Sequence, residues 1–242
     1  SGFNQGEGGV PNDQSQGRSK LKWDVEFVRD AVDRYEMYLE RFIDKVSDDQ
    51  STISDNDKTL DNMKELFFSP LTTENAFVAL QRCNIPTRLL SLRVRKWESL
   101  IGQIGQTEMT DTLSLHMLEA HGKAGNIGRA IQLLSLRKER GYAPKFSEFL
   151  YAVVAVNSAG MSLRKNRNVF LPDKDQPQID DPTRWLDAIL LNMNQRGFEL
   201  TTPMANRMLV TFASTGRSAK SMHFFYRVSR QLFQKENDVD DE

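Results

Sequence analysis

"HGKAGNIGRA", residues His121 to Ala130, carries three glycines spaced by three, Gly122, Gly125 and Gly128, and a lysine, Lys123. Such a run has two readings. Glycine-rich loops cradle phosphates where a strand feeds a helix N-terminus. Glycine also closes helices, because it takes the left-handed conformation without a Cβ clash. The phosphate loops need GxxxxGK[ST] or GxGxxG after a strand. Here the spacing is GxxGxxG, the preceding residues read as a helix, and Gly128 falls within the next one. The stretch therefore reads as the turn between two helices.

The same punctuation recurs outward from it. Gly125 in "KAGN" and Gly160 in "SAGM" lie 35 residues apart. Gly141 precedes Gly160 by 19, and Gly197 precedes Gly216 by 19. One glycine of each such pair closes the second helix of a unit, and the other sits in the turn of the next unit. A period in the 30s with two helices per unit is the pattern of an α-solenoid, whose units bury their apolar faces only by stacking. No stretch shows sustained apolar/polar alternation with β-branched residues. The expected fold is all-α: a short α-solenoid of helix-turn-helix repeats with a long N-terminal helix.

The segments follow from composition. Residues 1–18, rich in Gly, Gln, Asn and Ser, lack the apolar groups to offset ordering entropy and read as disordered. Residues 19–71 form an N-terminal helical region. Its long amphipathic helix spans Ser19–Ser47, and a shorter one spans Thr59–Phe68, ended by Ser69–Pro70. Residues 72–111 read as a degenerate repeat, with Thr72 or Thr73 capping a helix to Cys83 and Thr87 capping another to Ile104. Repeats occupy 112–235. Within them an insertion covers about 161–181, after a helix ending at Gly160 and before one starting at Asp181–Pro182. The last unit starts near Pro203, capped by Thr202. Residues 236–242 form an acidic tail.

The net charge of -1 hides an uneven distribution. Residues 1–75 carry net -7, residues 76–235 net +11 and residues 236–242 net -5. A basic body between acidic flanks suits a polyanionic partner, or is a solvated Arg-rich surface. No apolar run approaches the ~20 residues of a membrane span.

"TLSLHMLEAHGKAGNIGRAIQLLSLRKERGYAPK", Thr112 to Lys145, resembles a pentatricopeptide repeat. The resemblance rests on Lys123-Ala124-Gly125, Ala130, Lys138-Glu139-Arg140-Gly141 and Pro144. It implies non-catalytic binding of single-stranded RNA along a groove, and a role in organelle RNA metabolism or translation. Mitochondrion or plastid is the implied location; a chain that begins at Ser1 agrees with a removed leader. In such repeats a residue early in the first helix and one at the unit's end choose the base. Here these are Leu115 with Lys145, Leu150 with Thr201, and Asn206 with Glu236. Leucine has no group to hydrogen-bond a base edge, whereas asparagine does. Arg88, Arg93, Arg95, Lys96, Lys123, Arg129, Arg137, Lys138, Arg140, Arg164, Lys165 and Arg167 are the candidate phosphate contacts. The rival expectation is a protein–protein scaffold, an accessory subunit of a large organellar complex such as a ribosome or membrane complex. Low repeat number, apolar selector positions and acidic flanks point that way.

The sequence suggests no enzyme chemistry, small-molecule substrate, cofactor or metal. His116, His121 and His223 form no HExxH pair. The single cysteine, Cys83, sits among apolar residues near a helix end and reads as packed.

Overall fold

The computed structural model describes residues 25–48, 68–104, 108–165 and 183–239. Among these the chain is all-helical: α1 Val25–Asp48, α2 Pro70–Arg82, α3 Thr87–Ile104, α4 Asp111–Ala124, α5 Ile127–Glu139, α6 Phe146–Lys165, α7 Arg184–Gln195, α8 Thr202–Ser214 and α9 Ser218–Val239. The expected disordered segment 1–18, most of the expected Thr59–Phe68 helix, most of the insertion and the Asp181–Pro182 helix start lie outside the described residues.

Helices pack in sequence order. α2 lies on α4, α4 on α6, and α6 on α8. The intervening helices fill in beside them: α3 on α4, α5 on α4 and α6, α7 on α6, and α9 on α8. One apolar core follows this series, from Phe77, Leu80 and Trp97 through Leu118, Leu133, Phe149 and Val153 to Met193, Met208 and Phe224.

Glycine closes four helices by the same device. Gly125, Gly141, Gly197 and Gly216 have φ of 74°, 71°, 80° and 78°. After Gly125, the Asn126 N–H donates back to His121 O at 3.0 Å. Tyr142 to Arg137, Phe198 to Met193, and Arg217 to Phe212 repeat this bond at 3.1, 3.1 and 2.9 Å. Each bond satisfies a carbonyl that the helix end leaves open.

Gly160 departs from the expected pattern. It has no positive φ, and α6 runs through it to Lys165. The turn expected there is absent, so the 35-residue spacing from Gly125 does not mark equivalent positions. Gly160 is buried instead, one residue beyond Ala159, which packs against the end of α4 at Gly125.

Ser69–Pro70 starts a helix; most of the helix it is expected to end lies outside the described residues. Ser69 Oγ accepts the Thr72 N–H at 3.2 Å, and Pro70 takes the first helical position, where its missing N–H is no loss. Thr72 and Thr73 are thus inside α2 rather than capping it. Thr87 is likewise the first residue of α3, not its cap. Thr201, not Thr202, stands at the start of α8, without a side-chain capping bond. α9 extends to Val239, so the first residues of the expected acidic tail are helical.

α1 shows how an amphipathic pattern becomes a lid on the core. Val28, Val32, Tyr35, Leu39 and Phe42 recur at three- and four-residue steps and are buried. The helix packs on α2 and α3. Tyr35 and Trp97 rings stand 5.0 Å apart, and Phe42 and Phe68 rings 4.7 Å. Burial of five such side chains, at about 1.5–3 kcal/mol each, outweighs any surface ion pair that α1 makes.

Candidate binding surfaces

The residues expected to contact RNA fall into distinct settings. Arg93 and Lys96 lie on α3 facing α1. Arg93 Nη2 is 2.7 Å from Asp33 Oδ1 and its Nε 3.6 Å from Glu36. Lys96 Nζ donates to Glu36 Oε1 at 2.6 Å and also meets Glu40. The Trp97 indole N–H completes the group, donating to Glu36 Oε2 at 3.2 Å. Glu36 and Glu40 raise the Lys96 ammonium above its ordinary range, chiefly through the Glu36 hydrogen bond. The acidic zone read in the first 75 residues therefore neutralises part of the basic body.

The opening stretch anchors a second group. His121 is fully buried. The Asn126 amide Nδ2 is 3.1 Å from its Nδ1, which sets Nδ1 as acceptor and places the ring proton on Nε2. Nε2 stands 3.1 Å from Glu98 Oε2, without an aligned hydrogen bond. The other Glu98 oxygen takes two bonds from Arg129, from Nε at 2.7 Å and from Nη2 at 2.5 Å. Burial pushes the Glu98 carboxyl up, but His121 and Arg129 more than offset it, so it titrates below the usual range. Asn126 Oδ1 meanwhile accepts from Ser91 Oγ at 2.5 Å and from Arg95 at 3.2 Å. Lys123 reaches Glu119 at 2.8 Å and Gln81 at 3.1 Å.

Arg137 is a correction. It was expected on an RNA-facing surface and is only 1% exposed. Its Nε and Nη2 both donate to Glu148 Oε1, at 2.9 and 2.8 Å. Nη2 also meets Asp111 Oδ1 at 2.5 Å, and Nη1 meets Asp111 O at 2.6 Å and Ser114 Oγ. Helical spacing from Ile127, Ala130 and Leu134 puts residue 137 on the inward face of α5. Lys145 is drawn to the same place, its Nζ 2.7 Å from Asp111 Oδ2. The Lys145 bond, then Arg137, hold the Asp111 carboxyl below the usual range against desolvation.

Arg164 and Lys165 are the last described residues of α6, and Arg167 lies outside the described residues. Leu115 and Leu150 are half-buried, whereas Thr201 and Asn206 are exposed at the start of α8. Of the remaining phosphate candidates, Arg88, Lys138 and Arg140 are exposed. Arg140 donates to Met109 O at 3.0 Å.

Sequence reasoning missed the surface of α8 and α9, although its signal was present. From Leu200 to Lys235 there is no acid, against the cations Arg207, Arg217, Lys220, Arg227, Arg230 and Lys235. The first five are exposed. Lys220 Nζ donates to Thr183 Oγ1 at 3.3 Å, and Arg227 approaches Asp187 at 3.9 Å, so this side of α9 meets α7. Phe224 meets Phe212 of α8, with ring centroids 5.5 Å apart. On α9's outward side Met222, Phe225 and Tyr226 are 52%, 48% and 65% exposed, and on α8 Val210 is 54% exposed.

No group of three or more His, Cys, Asp or Glu is placed to hold a metal among the described residues. No helix there is long and apolar enough to cross a membrane. Burial pushes the Cys83 thiol up, which makes it a poor nucleophile. No protein-family model matches this chain, and no curated protein matches it.

Proposed function

We propose that the chain is a short α-solenoid similar to pentatricopeptide-repeat proteins, and that it acts without catalysis as a protein-binding accessory subunit of a larger organellar assembly. One observation carries the choice. Six of the cations expected to form an RNA track along the body already have acidic partners: Arg93 and Lys96 on α1 acids, Arg129 on Glu98, Lys123 on Glu119, Lys145 on Asp111, and Arg137 in the interior. An RNA phosphate would have to compete with carboxylates held at 2.5–2.8 Å. The half-buried leucines at two selector positions also offer no base-edge hydrogen bond.

The test is purification of the tagged full chain from its native cells. A defined set of proteins that survives nuclease treatment and moderate salt supports the scaffold. Loss of all partners on nuclease treatment would defeat it.

Single-stranded RNA binding is the second reading, favoured by exposed Asn206 and Thr201 beside the acid-free surface of α8 and α9. Filter binding with mixed-sequence RNA decides it. Retention at low salt that falls steeply with added salt supports it, and no retention at low salt ends it.

A further inference from the structure

We propose that the outer surface of α8 and α9 receives an acidic amphipathic helix from a protein partner, seated much as α1 is seated on α2 and α3. The inference rests on the protein-binding reading above and says where the partner docks and what its chemistry is.

The template is inside the molecule. At the N-terminal end of the packing series α1 lays an apolar stripe, Val32, Tyr35 and Leu39, on the core. It then brings acids, Asp33, Glu36 and Glu40, onto the α3 cations Arg93 and Lys96. Apolar contact and charge pairing come from one helix.

The C-terminal end has the receiving half of that arrangement. α9 meets α7 on the side of Lys220 and Arg227 and meets α8 through Phe224. Met222 and Phe225 project away from both contacts at helical spacing, where one further helix would pack. Among the described residues no helix besides α8 makes extensive contact with α9. The exposed cations Arg207 and Arg230 belong to the same two helices, in a segment from Leu200 to Lys235 without an acid. Their counter-charge is missing from the segment itself, whereas α3 receives its own from α1. An incoming helix with acids beside an apolar stripe supplies both parts. The exposed set mixes aliphatic Met222 and Val210 with the Phe225 and Tyr226 rings, the same kind of mixture by which Val32, Leu39 and Tyr35 of α1 pack on the core. The two rings would also stack a base, so RNA is an outcome of the test.

The experiment uses the full chain and two fluorescein-labelled synthetic helices, read by anisotropy. Both place leucine at i, i+3, i+4 and i+7; one carries glutamate elsewhere, the other lysine. The glutamate peptide is expected to bind saturably and the lysine peptide to be ignored. Met222→Ser with Phe225→Ser is expected to weaken binding by about tenfold or more, the behaviour of anchor side chains. Arg207→Glu with Arg230→Glu is expected to do the same. Leu71→Ser, at an exposed position on α2, leaves it unchanged. Circular dichroism confirms that each variant keeps its helices.

Failure of the glutamate peptide to bind, equal binding of both peptides, or variants that bind like the parent chain overturns the proposal. So does an RNA retained by the parent chain and lost with Phe225→Ser, which would assign the surface to nucleic acid. A self-association dissolved by the same substitutions would assign it to a second copy. The two readings separate in cell purification. A nuclease-resistant complex kept intact by the Met222/Phe225 variant sinks the docking site and leaves the scaffold standing. No complex with the parent chain sinks the scaffold itself.

Discussion

Gly122 of α4 faces Tyr151 of α6 so closely that a Cβ at position 122 would stand 2.7 Å from the Tyr151 carbonyl oxygen. Neither partner can yield easily, since the obstacle is backbone. The neighbouring Gly125 combines φ 74° with a would-be Cβ contact of 3.0 Å to Ala159 N. Gly141 has a similar φ, 71°, but open space around it.

These differences rank three substitutions. Gly141→Ala is expected to cost about 1–2 kcal/mol, the left-handed strain alone. Gly125→Ala carries that strain plus a backbone contact and should cost more. Gly122→Ala is free of left-handed strain but must move α6 from α4. Urea unfolding of the three variants checks the order; equal losses at Gly125 and Gly141 would remove the role assigned to the α4–α6 approach.

The buried pair of Arg137 and Glu148 predicts a large asymmetric response. Arg137→Leu leaves Glu148 in the interior and should cost about 3–5 kcal/mol. Arg196, 3.4 Å from Glu148 Oε2, moves the value toward the lower end. Arg137→Leu combined with Glu148→Leu should recover part of the loss, measured by denaturant midpoint. A double variant as unstable as the sum of the two single ones would contradict this.

On α1, packing should count for more than charge. Leu39→Ala is expected to cost about 2–5 kcal/mol. Lys96→Ala should cost under about 1 kcal/mol, because its pairs are half-exposed and screened. Deleting residues 25–48 uncovers Trp97 and Phe77 and should cause aggregation with strong binding of an apolar dye. A soluble, monomeric remainder would show that α1 is not needed to cover this end.

Acid should weaken the fold through Glu98 and Asp111. Both carboxyls titrate lower in the folded protein than their ordinary values of 4.5 and 3.8. Their stabilisation is present above those values and is lost as pH falls through the lower folded ones. Denaturant midpoints followed from pH 7 to pH 3 are expected to drop below about pH 4.5. Glu98→Gln should flatten that drop, and an unchanged slope would show that the carboxyl contributes nothing to it.

The α4–α5 turn was legible because its information is local: Gly125, the helices around it and the 16-residue step to Gly141 all lie within one stretch. Gly160 looked the same by spacing, but the glycine does not dictate a turn when the neighbouring helix packs against its flank. Ser69–Pro70 was ambiguous for another reason, since serine before proline can close one helix or open the next. The candidate site was least legible. Periodicity gives a residue's face, not what stands opposite it. Asp33 and Arg93 are 60 positions apart in the chain, and no local pattern joins them. Counting cations therefore found a basic body and missed that α1 and the interior neutralise much of it, while the acid-free run near the C-terminus could have been found by counting acids as well.

Arg137 draws ligands from two helices besides its own, Asp111 and Ser114 from α4 and Glu148 from α6. Peeling α6 away from α4 and α5 would part Glu148 from Arg137, which keeps only Asp111 and Ser114, and would leave the Glu148 carboxylate in a half-opened interface with the more distant Arg196. Stacked helical arrays often fray one unit at a time from their ends. Here the shared cation makes that partial opening steep, so residues 111–165 should exchange their slowest amide hydrogens in one joint event rather than in succession.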